Sequence, residues 1–153
     1  MDAIDYLNTP CGRLAITAND EGVTSVKFIE QMPSKPNSNT HTDQTKQQLT
    51  EYLLGTRKAF NLRLAPQGTD FQKSVWQALQ SVDFGQTASY LDVARTIGNI
   101  KACRAVGAAN GRNPISIIVP CHRIIGSSGK LTGYAGGLTR KQWLLDHELS
   151  SKG

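Results

Sequence analysis

The chain has 153 residues, 39% hydrophobic and 19% charged, with a formal net charge of +5. That is the balance of an ordinary globular protein with room for a small lobe beside a larger one, and it excludes a disordered or fibrous chain. No apolar run approaches a membrane span, and the start Met1-Asp2-Ala3-Ile4-Asp5 lacks the basic and apolar regions of a signal peptide, so a cytoplasmic protein is expected, or a nuclear one in a eukaryote.

Residues 4–8, 13–18 and 23–29 read as short strands, joined by turn chemistry at Asn8-Thr9-Pro10-Cys11-Gly12 and Asn19-Asp20-Glu21-Gly22. A small antiparallel meander follows from this. Met32 to Thr42 is a polar loop without apolar period, and a helix from about Asp43 to Leu54 carries Leu49, Tyr52 and Leu53 on one face, with Gly55 as its stop. Pro66-Gln67-Gly68 forms a joint, so that 1–65 is an N-terminal α/β lobe and 69–153 a second, mostly helical one. The fold class is α+β.

In the second lobe, Thr69-x-x-Gln72 is a capping box opening a helix with Phe71, Val75, Trp76 and Leu79 on one side. Ser89 caps a helix running to Ile97, Gly98-Asn99 ends it, and a further helix spans Lys101 to Asn110. These two have the dimensions of a helix-turn-helix. The second helix is built of small residues, from which Arg104 reaches outward; the alternative is a tightly packed internal helix with Arg104 on its solvent edge. Asn113-Pro114 leads into an apolar strand ending at Cys121, and Asn113 either bonds backbone groups at that bend or is an ordinary turn residue. Leu131-Thr132-Gly133-Tyr134-Ala135-Gly136-Gly137 is a glycine-rich loop that can wall a pocket for a flat ring or simply lie on the surface. It is not a phosphate loop, because Gly-x-x-x-x-Gly-Lys-Ser/Thr is absent. Thr139-x-x-Gln142 is a second capping box, opening a final helix with Trp143, Leu144 and Leu145.

Charge and sulfur narrow the chemistry. Residues 1–68 carry seven Lys/Arg against seven Asp/Glu, whereas residues 69–153 carry ten against five, so an anionic partner would meet the second lobe. The three cysteines, Cys11, Cys103 and Cys121, are widely spaced without Cys-x-x-Cys, which disfavours disulfides and zinc ribbons. Cys121 precedes His122 within an apolar, β-branched surround, with Pro120 fixing the backbone ahead of it. An unperturbed thiol has a pKa of about 8.5 and is mostly protonated at neutral pH, so a nucleophilic Cys121 needs a proton acceptor within reach. Neighbouring side chains diverge, which favours a water between Cys121 and His122. The imidazole in turn needs a carboxylate, from Asp70, Asp83, Asp92, Asp146 or Glu148. The bland alternative is a buried thiol beside an exposed imidazole.

Pro-Cys-His-Arg-Ile, Arg-Ala-Val-Gly-Ala-Ala-Asn, Asn-Pro-Ile, Gly-Tyr-Ala-Gly-Gly and Lys-x-Trp-Leu-Leu-x-His-Glu together resemble, in order and spacing, the O6-alkylguanine-DNA alkyltransferase family. The resemblance covers about residues 70–148; residues 1–65 agree with the family's variable N-terminal lobe only in general character. It implies a single-turnover DNA repair protein that moves an alkyl group from O6-alkylguanine, and from O4-alkylthymine, to Cys121. It also implies that His122 is the base acting through a water, that Glu148 holds His122, and that Tyr90 donates its hydroxyl proton towards N3 of the purine. The Ala135 N–H would bond O6, the carbonyls of Cys121 and Ile124 would accept from the exocyclic amine, and Tyr134 would line the pocket. Lys101, Ala102, Arg104, Ala105 and Ala108 would face the minor groove of double-stranded DNA, with Arg104 filling the gap left by the flipped base and Asn113 acting as the hinge between helix and active site. No cofactor is implied. Some members bind zinc in the N-terminal lobe; with only Cys11 and His41 there, no metal is expected, and at this length no fused regulatory domain either. A monomer without an obligate protein partner is expected. Two rivals are a non-catalytic lesion sensor, against which Cys121 argues, and a cysteine hydrolase using Cys121, His122 and Glu148.

Overall fold

The computed structural model describes residues 2–126, 128, 129, 131 and 133–151. Met1 and, in the glycine-rich loop, Thr132 lie outside the described residues. The chain divides into two compact units, residues 1–67 and 68–153.

In the first unit, β1 (Ala3–Thr9), β2 (Gly12–Ala18) and β3 (Val23–Ile29) form an antiparallel sheet in the order β1-β2-β3. Leu14 pairs with Leu7 and Phe28, and Ile16 with Asp5 and Val26, which sets alternate residues of the central strand on one face. That face buries Leu14 and Ile16 completely, and Leu49 and Tyr52 of α1 (Thr40–Leu53) are buried with them. The helix begins earlier than its apolar pattern predicts. Asn39 caps it, accepting from the Thr42 N–H while the Thr42 hydroxyl accepts from the Asn39 N–H. Residues 40–42, expected in the loop, are therefore its first turn.

In the second unit, α2 (Asp70–Leu79) opens at the capping box of Thr69 and Gln72, and buries Val75, Trp76 and Leu79. Trp76 ties it to a neighbouring helix by donating from Nε1 to the Ala109 carbonyl, 2.8 Å. Next come β4 (Ala88–Ser89) and α3 (Tyr90–Thr96), where Ser89 both pairs in β4 and caps α3. The turn at Gly98 takes a left-handed φ of +78°, and α4 (Cys103–Gly111) packs on α2 and α3. The helix start expected at Lys101 lies two residues further on: Lys101 and Ala102 belong to the preceding turn, which Ala102 closes without a side-chain cap. Further along, β5 (Ile124–Ile125) pairs in parallel with β4, Ala88 opposite Ile124 and Ser89 opposite Ile125. The last helix, α5, is described over Leu138–Ser151. It starts one residue before Thr139, with the Gly137 carbonyl accepting from the Lys141 N–H, so Thr139 sits inside the first turn and not at the cap. Its buried residues are Lys141, Leu144 and Glu148, whereas Trp143 and Leu145 are only half-buried.

The expected strand before Cys121 does not form. Residues 114–119 make tight turns, in which Ile117 adopts φ +72°. A β-branched residue in the left-handed region is strained, and such strain persists only where the surroundings over-determine it. Asn113 supplies the constraint: Nδ2 donates to the carbonyls of Val119 (2.8 Å) and Ile115 (3.2 Å), while Oδ1 accepts from the Ile115 N–H (3.0 Å). One buried amide thus closes the turn with three bonds. No described helix is long and apolar enough to cross a membrane.

Candidate active site

Cys121, His122 and Arg123 form a single 3-10 turn that is buried in the second unit. Cys121 is 4% exposed and His122 is fully buried. Burial pushes the Cys121 thiol up to about 11, against the pull of the Asn113 amide and the Lys141 ammonium. At neutral pH the sulfur therefore carries its proton, and a nucleophile can emerge only if that proton leaves as the new bond forms.

His122 follows Cys121 directly in the chain. Its Nε2 lies 2.6 Å from Glu148 Oε2. Glu148 also accepts from Arg123, Nε to Oε1 at 2.9 Å and Nη2 to Oε2 at 3.1 Å, and from the Gly85 N–H at 3.1 Å. Burial by itself would raise the Glu148 carboxyl, but the His122 bond and the Arg123 guanidinium outweigh it and hold the group well below the usual carboxylate range. An ionised carboxylate only accepts, so Nε2 carries the proton and Nδ1 keeps the lone pair. Nδ1 is buried with no hydrogen-bond partner among the described residues. Burial lowers the imidazole below its ordinary value, and Glu148 opposes the shift, which leaves a neutral base at neutral pH.

Two cations in this cluster were not assigned roles from the sequence. Arg123 is fixed on a third side by donating from Nη1 to the Val82 carbonyl (2.6 Å), and its guanidinium carbon lies 5.8 Å from the Phe84 ring centroid. Lys141 is fully buried, and its ammonium donates to the Ile124 carbonyl. Burial lowers the Lys141 ammonium, and the Cys121 thiolate would raise it. The signal for Lys141 is helical period: it stands three residues before buried Leu144 and seven before Glu148. The signal for Arg123 is a guanidinium in an apolar stretch, which demands a carboxylate.

The remaining expected residues fall as follows. Tyr90 opens α3, half-buried, and a Cβ on Gly107 would come 3.7 Å from its ring. Tyr134 is buried and Ala135 exposed, in the turn leading to α5. The carbonyls named for an exocyclic amine already have partners, since Cys121 O accepts from the Ile124 N–H and Ile124 O from Lys141. One lone pair on each remains. Arg104, Ala105 and Ala108 form the exposed face of α4, Lys101 is exposed ahead of it and Ala102 half-buried. Among the described residues, no group of three or more His, Cys, Asp or Glu side chains could hold a metal.

A buried thiol next in the chain to an imidazole whose Nε2 is held by a carboxylate and whose Nδ1 keeps its lone pair is an arrangement that can serve a cysteine nucleophile, and α4 presents an exposed face of small residues around Arg104. Comparison with known proteins gives the family. Residues 70–150 match the 6-O-methylguanine DNA methyltransferase DNA binding domain, and residues 4–66 its ribonuclease-like domain. The chain is 47% identical over 146 residues to the methylated-DNA–protein-cysteine methyltransferase of Methanosarcina acetivorans, covering 92% of this chain and 94% of that one. It is 44% identical over 151 residues to the constitutive enzyme of Bacillus subtilis, covering 92% and 91%. Its fold matches the crystal structure of Mycobacterium tuberculosis O6-methylguanine methyltransferase with a TM-score of 0.89 at 41% identity, covering 99% and 94%, and the same protein's complex with DNA with a TM-score of 0.85 at 43%, covering 95% and 92%. The chain belongs to the methylated-DNA–protein-cysteine methyltransferase family.

Proposed function

We propose that the chain repairs O6-alkylguanine in double-stranded DNA by moving the alkyl group irreversibly onto Cys121. The observation that carries this reading is the 2.6 Å contact of His122 Nε2 with Glu148: the Nε2–H donates to the carboxylate, so Nδ1 is the basic atom of the residue next in the chain to a thiol too weakly acidic to ionise alone. The thiol proton passes through a water to Nδ1 as sulfur attacks the alkyl carbon. The C–O6 bond breaks and its electron pair goes to the purine. Tyr90 donates its hydroxyl proton towards N3, so the leaving group departs as neutral guanine. The Ala135 N–H bonds O6, the Cys121 and Ile124 carbonyls take the exocyclic amine with their remaining lone pairs, and Tyr134 lines the pocket. O4-alkylthymine offers the same O-alkyl carbon and is a second substrate. A thioether is not cleaved without a second nucleophile, so each chain acts once.

Because the thiol is buried, the lesion must leave the duplex to reach it. Flipping a base costs a few kcal/mol, least for a damaged one. The α3–α4 pair acts as a helix-turn-helix in the minor groove, where Ala102, Ala105 and Ala108 permit close approach and Arg104 fills the vacated stack. Lys101 adds sequence-independent phosphate affinity. Asn113, bonded both to the turn after α4 and to Val119 ahead of Cys121, is the hinge that keeps helix and thiol in register.

The test is incubation with DNA carrying labelled O6-methylguanine. Label on the protein is expected to plateau at one equivalent, with an intact-mass gain of one methyl group. Cys121→Ala is expected to abolish it. Label on the Cys121→Ala protein, or continued turnover, refutes the assignment.

A further inference from the structure

Arg123 plays no part in the reaction just described, yet all three of its guanidinium nitrogens are bonded. Both of its faces towards Glu148 are used, one nitrogen for each carboxylate oxygen, and its remaining arm is fastened to Val82. His122 and Arg123 thus share a single carboxylate oxygen, Oε2. We propose that Arg123 is a positioning residue that keeps His122 neutral at rest, by fixing the orientation of Glu148 and cancelling the carboxylate's pull on the imidazole proton. This deepens the reading of His122 as the base and rests on it.

A buried carboxylate facing an imidazole alone favours the ion pair, and an imidazolium would carry protons on both nitrogens. Nδ1 would then have no lone pair to offer the thiol. A guanidinium bound through a fork to the same carboxylate neutralises it and repels a second positive charge nearby. The charged and titratable groups around His122 are Glu148 and Lys141 from α5, and Arg123 and Cys121 from its own turn. The 82–85 turn presents the Val82 carbonyl and the Gly85 N–H, and its carboxylate, Asp83, is exposed. β5 contributes Ile124 and Ile125. Arg123 is bonded to Glu148, so it can both orient the carboxylate and oppose its charge.

The test is NMR titration of 15N-labelled imidazoles in the full chain, with the His122 signal assigned by its loss in His122→Gln. Arg123→Gln is expected to raise the His122 midpoint by about one pH unit or more, and Arg123→Lys, which keeps the charge, to return it towards the wild-type value. An unmoved His122 midpoint in a natively folded Arg123→Gln protein overturns the proposal. Should that variant not fold, Arg123→Met, which fills similar volume without charge, takes its place, and an unmoved His122 midpoint there overturns the proposal equally. Single-turnover transfer against pH separates this inference from the reading beneath it. The acid limb is expected to move up with the His122 midpoint, slowing transfer about tenfold per unit at acidic pH and little above it. A midpoint that moves while the limb stays fixed would leave Arg123 in its role and remove His122 from that of base.

Discussion

The two units solve the problem of burial in opposite ways. Among the described residues, the first unit buries only two polar side chains, Thr42 and Thr45, and each bonds a carbonyl in its own helix turn. The second unit buries Asn113, His122, Arg123, Lys141 and Glu148. Taking charges out of water is expensive, and replacing a buried ion pair by packed apolar residues is often neutral or stabilising. The second unit nevertheless buries an arginine, a lysine and a glutamate, a cost in stability that the function proposed above accounts for. The first unit, with an apolar core and locally satisfied threonines, has been under no such demand.

That contrast is sharpened first by Glu148→Gln. It leaves Arg123 buried without its counter-charge, so a loss of about 3–5 kcal/mol in urea denaturation is expected, together with a collapse of methyl transfer. An unchanged unfolding midpoint would erase the difference between the units. Acid provides the next test. The depressed His122 folds neutral while the unfolded chain binds a proton, so its contribution is present above its unfolded value of about 6.5 and is lost as pH falls through its folded one. Glu148 is likewise depressed, so its contribution is present above its unfolded value of about 4.3 and is lost as pH falls through its folded one. Thermal unfolding followed from pH 8 downward is expected to show stability falling below about pH 6.5 and falling further below about pH 4.3, with His122→Gln removing the first step.

Smaller effects come from the surface. Asn39→Ala removes the α1 cap and should cost about 1 kcal/mol, leaving transfer intact. Arg104→Ala should change stability by less than about 0.5 kcal/mol, because the side chain is exposed, while weakening repair in duplexes and sparing reaction with free O6-benzylguanine. Equal losses on both substrates would show that Arg104 does not act on the duplex.

How far the chain could be read in advance follows the same physics. The sheet was legible because period-two alternation and turn residues coincide: β3 has the expected bounds, while β1 extends one residue further at each end and β2 starts one residue earlier. The start of α1 was not, because Thr40-His41-Thr42 has no apolar period and its order comes from Asn39 and the threonine hydroxyls. Residues 114–119 misled for the reverse reason. A short apolar run fits a buried strand and a buried turn equally well, and the choice was made by the Asn113 amide. Cys121 and His122 are adjacent and could be read as a pair. Their link to Glu148 spans 26 residues, and five carboxylates were available in that lobe, so the family resemblance and not spacing selected it. Arg123 and Lys141 passed unassigned because a lone cation in an apolar sequence announces burial without naming its partner.

The two-residue pairing of β4 with β5 has a further consequence. Ser89 is hydrogen-bonded into that ladder and also starts the helix that begins with Tyr90, while Ile124 leaves the ladder directly for the turn bearing Cys121. Tyr90 follows one strand of this pairing directly, and the turn bearing Cys121 precedes the other. In the reaction proposed above, this short pairing links the proton donor to the nucleophile, so part of the cost of bringing them together is met in folding, before any DNA arrives.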